Sequence, residues 1–305
     1  MLRNNKTRAI GAGTAFALIA TIIAGCSGGS ASGGETPAAG NISLPGNVRD
    51  RGSLEVAAYL QYPPYRYTDA DGKPAGIEVQ MAEAVAKKLG LKINFHDMDF
   101  SAVIPAIQNG RFDFSLGAYA DTPERQKVVD IMDYNVDEMG LIVAQGNPNK
   151  VSVDDFCGRT FGAVTGSQQI SNFNDYVSSC AKAGKTAPTL TAFTDVGTEF
   201  QAIRNGRIDT LETTIAVGKY TEGQKGSGLV ALPGAVSVHP TNPPVGWVFK
   251  KGDAGMERAV LQAIDELIKD GTWKTITDNA GITKTAVLPP TINTKALSLT
   301  GSTAK

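Results

Sequence analysis

Residues 105–125 read PAIQNGRFDFSLGAYADTPER. The stretch has the signature of a helix end, a glycine turn, a short buried strand and a polar loop that delivers one arginine, Arg125. About one domain-width later the chain repeats itself. Ala106-Ile107-x-Asn109-Gly110-Arg111-x-Asp113 is matched by Ala202-Ile203-x-Asn205-Gly206-Arg207-x-Asp209. Two similar supersecondary units at this separation imply two lobes, with the loops after the two strands meeting across a cleft.

Around these two units the pattern alternates strand and helix. Ser53 to Ala58 reads as a strand and runs into an aromatic loop, Tyr59 to Tyr67, that contains two prolines. Asp69 to Gly72 reads as a hairpin turn; it resembles a calcium loop only in part, since Gln80 stands where the bidentate acid belongs. Val79, Ala82, Val85 and Leu89 keep helical spacing up to a stop at Gly90. Lys92 to Phe95 reads as strand and Phe100 to Gln108 as helix. Such an order predicts α/β lobes, each a mostly parallel sheet flanked by helices. The expected division is lobe 1 over 48–144 plus 246–286, and lobe 2 over 145–245 beginning after the polar link Gln145–Asn149. An amphipathic helix over Glu257–Lys269 is expected to return to the first lobe, which gives two linking strands. Residues 287–305, rich in Thr, Ser and Pro, read as a disordered tail.

The N-terminus is a targeting segment. Arg3, Lys6 and Arg8 precede an apolar run, Ala9 to Ala24, too short to span a membrane comfortably, so residues 1–25 read as a signal peptide. Residues 26–47 are rich in Gly, Ser, Ala and Pro and read as a flexible tether. In an exported chain Cys157 and Cys180 are a candidate disulfide closing a loop of roughly 25 residues, worth about 3 kcal/mol. Two separate buried thiols are the alternative.

Net charge is −1, and the mature part carries 26 basic against 30 acidic residues once the three basic residues of the leader are removed. No basic cluster marks a nucleic-acid surface. His96 and His239 are far apart and lack neighbours at metal-ligand spacing, so neither a metal nor a cofactor is expected.

From Leu54 to about Ile282 the order of motifs resembles the family 3 substrate-binding proteins of ABC importers, the receptors for polar amino acids. The resemblance is carried by YPPY after the first strand, GIEVQMAEAVAKKLG, MDFSAVIPAIQNGRFD, DTPER followed by VVD, TGS, NGRID and DGTW. Ile23-Ala24-Gly25-Cys26 resembles a lipobox, which implies an exported protein held at the outer face of the cell membrane by acyl chains on Cys26. The AGK after Cys180 is also similar to lipoproteins of this family. What the resemblance implies is a two-lobe periplasmic-binding-protein-like fold, a monomer that binds a small carboxylate and passes it to an ABC permease. It implies that Arg125 forks onto the ligand's carboxylate, as a planar guanidinium can, with Gly117, Ala118 and the Ala120 amide beside it. Tyr62 and Phe100 match the aromatics that sandwich the ligand. Ser167 and Gln168 match the turn that meets the same carboxylate at a helix N-terminus, where Ser167 can also cap the helix.

Three departures stand out, the first being that Ala118 and Ala120 replace small hydroxyl residues beside the arginine. Thr214 occupies the place of the aspartate that grips the ligand's ammonium, and Tyr59 the place of an aspartate that reads its side chain. Glu212, two residues before Thr214, is expected deeper by roughly 6–7 Å. The expected ligand is therefore a small carboxylate whose amine is absent, substituted or placed differently. A dehydratase on the same scaffold is the alternative function, with Glu212 the acid available for it. A sensor ectodomain is a third, but neither a transmembrane span nor a signalling domain is read after the lobes.

Overall fold

Leu54, Val56, Ala57 and Ala58 are all buried, the pattern of a strand covered on both faces. In the computed structural model, which describes residues 42–234, 243–282 and 284–293, they lie on the strand next to the edge of the larger sheet. The leader, Cys26 and residues 27–41 of the expected tether fall outside the described residues. The end of that tether is folded: Ile42 and Leu44 pack on the core, and helix α1 (Gly46–Arg51) follows.

The first lobe continues with β1 (Ser53–Ala58), β2 (Gln61–Tyr62), β3 (Arg66–Thr68), β4 (Pro74–Ala75), α2 (Ile77–Leu89), β5 (Lys92–Asp97), α3 (Phe100–Gln108), β6 (Phe114–Ala120), α4 (Pro123–Gln126) and β7 (Val129–Asn135). The second consists of β8 (Met139–Ala144), β9 (Thr160–Val164), α5 (Gln168–Lys182), β10 (Thr189–Phe193), α6 (Val196–Arg204), β11 (Thr210–Thr214), α7 (Ile215–Glu222) and β12 (Leu229–Pro233). The chain returns through β13 (Val245–Lys250) to α8 (Ala254–Lys269), α9 (Thr272–Asn279) and β14 (Ala286–Ile292). Sheet order is β14-β7-β13-β6-β1-β5 in one lobe and β10-β9-β11-β8-β12 in the other. Strands β5, β1 and β6 are parallel, as are β10, β9 and β11; β13 and β8 run against them. The fold is thus bilobed α/β with mixed sheets, and β2, β3 and β4 form a small antiparallel sheet.

The repeated motif makes the same joint twice. Gly110 and Gly206 both sit at φ +67. Gly110 N donates to Ile107 O and Arg111 N to Ala106 O; Gly206 N donates to Ile203 O and Arg207 N to Ala202 O. Each helix therefore ends in a Schellman turn that only a glycine enters without strain. The aspartates then tie the next strand to its neighbour: Asp113 accepts from Glu55 N and Asp209 from Thr160 N, both at 2.7 Å. The motif is punctuation for the sheet, and it aims the carboxyl ends of β6 and β11 at the same place, where open α/β sheets bind ligands.

Two expectations need correcting, and one alternative falls. The first crossing between lobes is not the polar link at 145–149 but residues 136–138, because β8 pairs with β11 and β12 in the second sheet. Residues 139–144 therefore belong to the second lobe. The polar link misled because the crossing carries no turn residue of its own: Val136, Asp137 and Glu138 continue from β7 into β8 without a glycine or proline to mark them. The segment from 287 is not all tail: β14 pairs with β7 as an edge strand, where Pro289 and Pro290 are tolerated. Residues 294–305 lie outside the described residues. Cys157 and Cys180 are bonded to each other, which removes the two-thiol alternative.

Candidate functional site

A cavity of about 110 Å³ lies between the lobes. Tyr59, Tyr62, Phe100, Gly117, Ala118, Ala120, Arg125, Ser167, Gln168 and Thr214 all line it. The positions read from sequence thus converge, contributed by the ends of β1, β6, β9 and β11, by β2 and α4, and by the starts of α3 and α5.

Arg125 extends from α4, whose N-cap Thr122 accepts from the Arg125 amide. Its guanidinium donates to Ala120 O at 2.9 Å and, across the cleft, to Gly166 O at 3.0 Å. It lies 5.4 Å from the Tyr119 ring centre. No acid forms an ion pair with it among the described residues. Burial lowers its proton affinity below the arginine norm, which marks a poorly solvated cation facing an open space.

The aromatic wall is deeper than expected. Phe100 stacks on Tyr119 at 4.4 Å and meets Tyr59 edge-on at 5.9 Å. Tyr62 stacks on Tyr65, and its hydroxyl pairs with Thr213 of the other lobe at 2.8 Å. The Tyr59 hydroxyl accepts from Val196 N, also across the cleft, at 2.9 Å. A Cβ at Gly117 would fall 2.0 Å from the Tyr119 ring, so the glycine makes room for this stack.

Behind the wall is Arg66, only 1% exposed. It donates to Glu78 at 2.6 Å and to Gly117 O at 2.8 Å, and sits 5.0 Å from the Tyr62 ring centre. Glu78 also accepts from Gly117 N, Ala118 N and Trp247 Nε1. It thereby pins Ala118 at a left-handed φ of +46, a conformation that non-glycine residues enter at a cost of about 1–3 kcal/mol.

Ser167 occupies the N-cap position of α5 but makes no capping bond. Its hydroxyl oxygen is buried without a protein partner, which leaves it available to a ligand. Gln168 is held by Asn172 at 2.8 Å. Thr214 does cap α7, accepting from Val217 N at 3.2 Å. Glu212 does line the cavity and accepts from Tyr176 at 2.5 Å.

Two cavity acids escaped the sequence reading. Asp137, from the crossing segment, accepts from Tyr65 and Asn135, both at 2.7 Å; burial pushes its carboxyl up to about 6. Glu199, on α6, is pushed up to about 8, first by burial and then by the charge of Asp195.

Residues 54–280 match the model of the bacterial extracellular solute-binding proteins, family 3. The chain belongs to that family. Among its relatives, the arginine-binding protein ArgT of Corynebacterium glutamicum is 24% identical over 240 residues, covering 78% of this chain and 77% of that one. The probable amino-acid-binding protein YxeM of Bacillus subtilis is 30% identical over 235 residues, covering 75% and 84%. A solved ancestral arginine-binding protein with arginine bound superposes with a TM-score of 0.65 at 30% identity, over 75% of this chain and 98% of that one. This family 3 protein is accordingly an exported amino-acid or carboxylate-binding receptor of an ABC transporter, and a binding protein rather than an enzyme.

Proposed function

We propose that this receptor clasps the carboxylate of an amino acid or amino-acid derivative on Arg125, closes around it, and delivers it to an ABC permease while tethered by lipid on Cys26. The observation that carries the reading is the Arg125 guanidinium: unpaired with any acid among the described residues and spanning both lobes through main-chain carbonyls. A carboxylate entering there replaces two neutral acceptors with a charged, bidentate one. The Ala120 amide and the Ser167 hydroxyl complete the cradle, and Tyr62 and Phe100 hold the ligand's body. Contacts of this kind exist only with both lobes engaged, and that difference in affinity is what drives closure.

Thr214 offers no charge and its hydroxyl is committed to α7, so an amine on the ligand is not bound there as an aspartate would bind it. Asp137 lines the same cavity and is the acid through which a displaced amine would be read. Because relatives are named for arginine, L-arginine is the first ligand to titrate, with glutamine, glutamate and carboxylates lacking an α-amine beside it. Calorimetry of Arg125→Ala is expected to show a loss of roughly 2–5 kcal/mol of binding. Unchanged affinity in that variant would end the proposal. Membrane partitioning of the full chain against a Cys26→Ala form tests the anchor: the variant is expected in the soluble fraction.

A further inference from the structure

We propose that Glu199 selects the charge of the ligand: its carboxyl receives a cationic group, a guanidinium or a primary amine, at the end of the ligand remote from the carboxylate. The inference rests on the carboxylate clasp at Arg125 proposed above.

Glu199 sits in the first turn of α6 and is 3% exposed, yet it lines the cavity. Among the described residues no hydrogen bond or ion pair reaches its carboxyl. A buried carboxyl without a partner is unfavourable wherever it serves no purpose; an apolar side chain would fill the same space without that penalty. Gly162 lies directly beneath it: a Cβ there would stand 3.4 Å from Glu199 Oε1 and only 2.6 Å from Ile208.

Among the described residues no internal cation answers it. Arg66 is paired with Glu78, and Arg125 reaches Gly166, in the turn just beyond β9. The charged and titratable groups that face Glu199 are Asp195, at the N-cap of its own helix, and Tyr59 from the first lobe, with Arg66 behind that ring. Asp195 adds negative charge, and Tyr59 already uses its hydroxyl on Val196. Of the cavity's two arginines, Arg66 is neutralised by Glu78 and Arg125 by the ligand carboxylate; apart from the tyrosines, the other ionisable side chains that line it are the acids Asp137, Glu199 and Glu212. A cationic tail is what such a cavity complements.

The spacing sets the length. Gly162 lies beneath Glu199 and Gly166 beneath Arg125, four residues apart, at most roughly 13 Å. Once a hydrogen bond of about 3 Å is taken at each end, an amino acid with an extended side chain spans the gap and a two- or three-carbon acid does not. In the empty cleft, burial keeps a proton on this carboxyl near neutrality, and an arriving cation displaces it.

Titration calorimetry with L-arginine, L-ornithine and L-citrulline, each in two buffers of different ionisation enthalpy, reads affinity and proton release together. Citrulline is the neutral isostere of arginine. The wild-type protein is expected to prefer arginine or ornithine to citrulline by at least about tenfold and to release a proton on binding. Glu199→Gln is expected to abolish both the preference and the proton release while still binding citrulline. Binding that needs Arg125 but shows no cation preference, or a preference that survives Glu199→Gln, overturns this inference and leaves the receptor intact. No binding of any of the three, or binding indifferent to Arg125→Ala, overturns both.

Discussion

Arg66 and Glu78 form a buried ion pair in the first lobe, at 2% and 0% side-chain exposure. A charge left alone in such a place destabilises far more than the intact pair stabilises. Arg66→Met is therefore expected to lower the unfolding free energy by about 3–5 kcal/mol, read from urea denaturation. The double variant Arg66→Met/Glu78→Gln is expected to lose less than the sum of the single losses, because it leaves no uncompensated charge. The pair also marks where sequence reading stops. Arg125, Tyr62 and Phe100 are singled out through motifs that carry the family resemblance, and the cavity does bring the three together. Glu78 and Glu199 are not singled out in this way. Both are acids in the first turn of a helix, where an exposed carboxylate favouring the helix dipole has the same sequence signature. Only three-dimensional packing turns those two inward.

At the scale of elements, the repeat at 106–113 and 202–209 gave the two lobes correctly because its glycines and aspartates perform strictly local tasks. Gly206 at φ +67 has nothing within 4 Å of a would-be Cβ, so Gly206→Ala is expected to lose only the backbone penalty, about 1–2 kcal/mol. Gly246 is different. A Cβ there would lie 2.1 Å from Met132 O, between paired strands β13 and β7. Gly246→Ala is expected to lose about 3 kcal/mol or more, and comparing the two variants' unfolding midpoints separates the torsional penalty from the steric one. The disulfide between Cys157 and Cys180 ties the approach to β9 to helix α5 across a sequence separation of 23. Replacing both cysteines by alanine is expected to lower stability by about 3 kcal/mol, read in the same denaturation assay. Element boundaries were legible where a local signal marks them, as at Gly90 or Gly110. They were not legible at β14, whose Thr- and Pro-rich composition reads as tail until β7 offers it a partner. Nor was the crossing at 136–138, which turns on strand pairing far away in sequence.

Across the whole molecule, the two lobes meet through polar contacts that a ligand would rearrange: Arg125 to Gly166, Tyr62 to Thr213, and Tyr59 to Val196. Closing them buries acids, and this gives the protein a particular response to pH. Asp137 is raised from 3.8 to about 6 and Glu199 from 4.5 to about 8, both mainly by burial. For such groups the folded protein holds its proton more tightly than the unfolded chain. Their contribution is thus complete below about pH 4 and is lost as pH rises through 6 and then 8. Asp270, lowered to about 2 by Lys88 and by Thr272, acts oppositely, but its loss begins only as pH falls below its ordinary value of 3.8. Glu257, raised to about 7 by burial and then by the charge of Asp130, adds to the same decline, so between pH 5 and 8.5 the raised acids decide the slope. A tenfold difference in proton affinity between folded and unfolded chain is worth about 1.4 kcal/mol. Even half of the loss expected from the two carboxyls over that range amounts to about 3 kcal/mol. The urea midpoint of the ligand-free protein is expected to fall from pH 5 to pH 8.5. Asp137→Asn is expected to flatten the lower part of the decline and Glu199→Gln the upper part. A midpoint that instead rises over this range would mean that the two carboxyls are not enclosed when the cleft is empty, and that the lobes of the free protein stand apart.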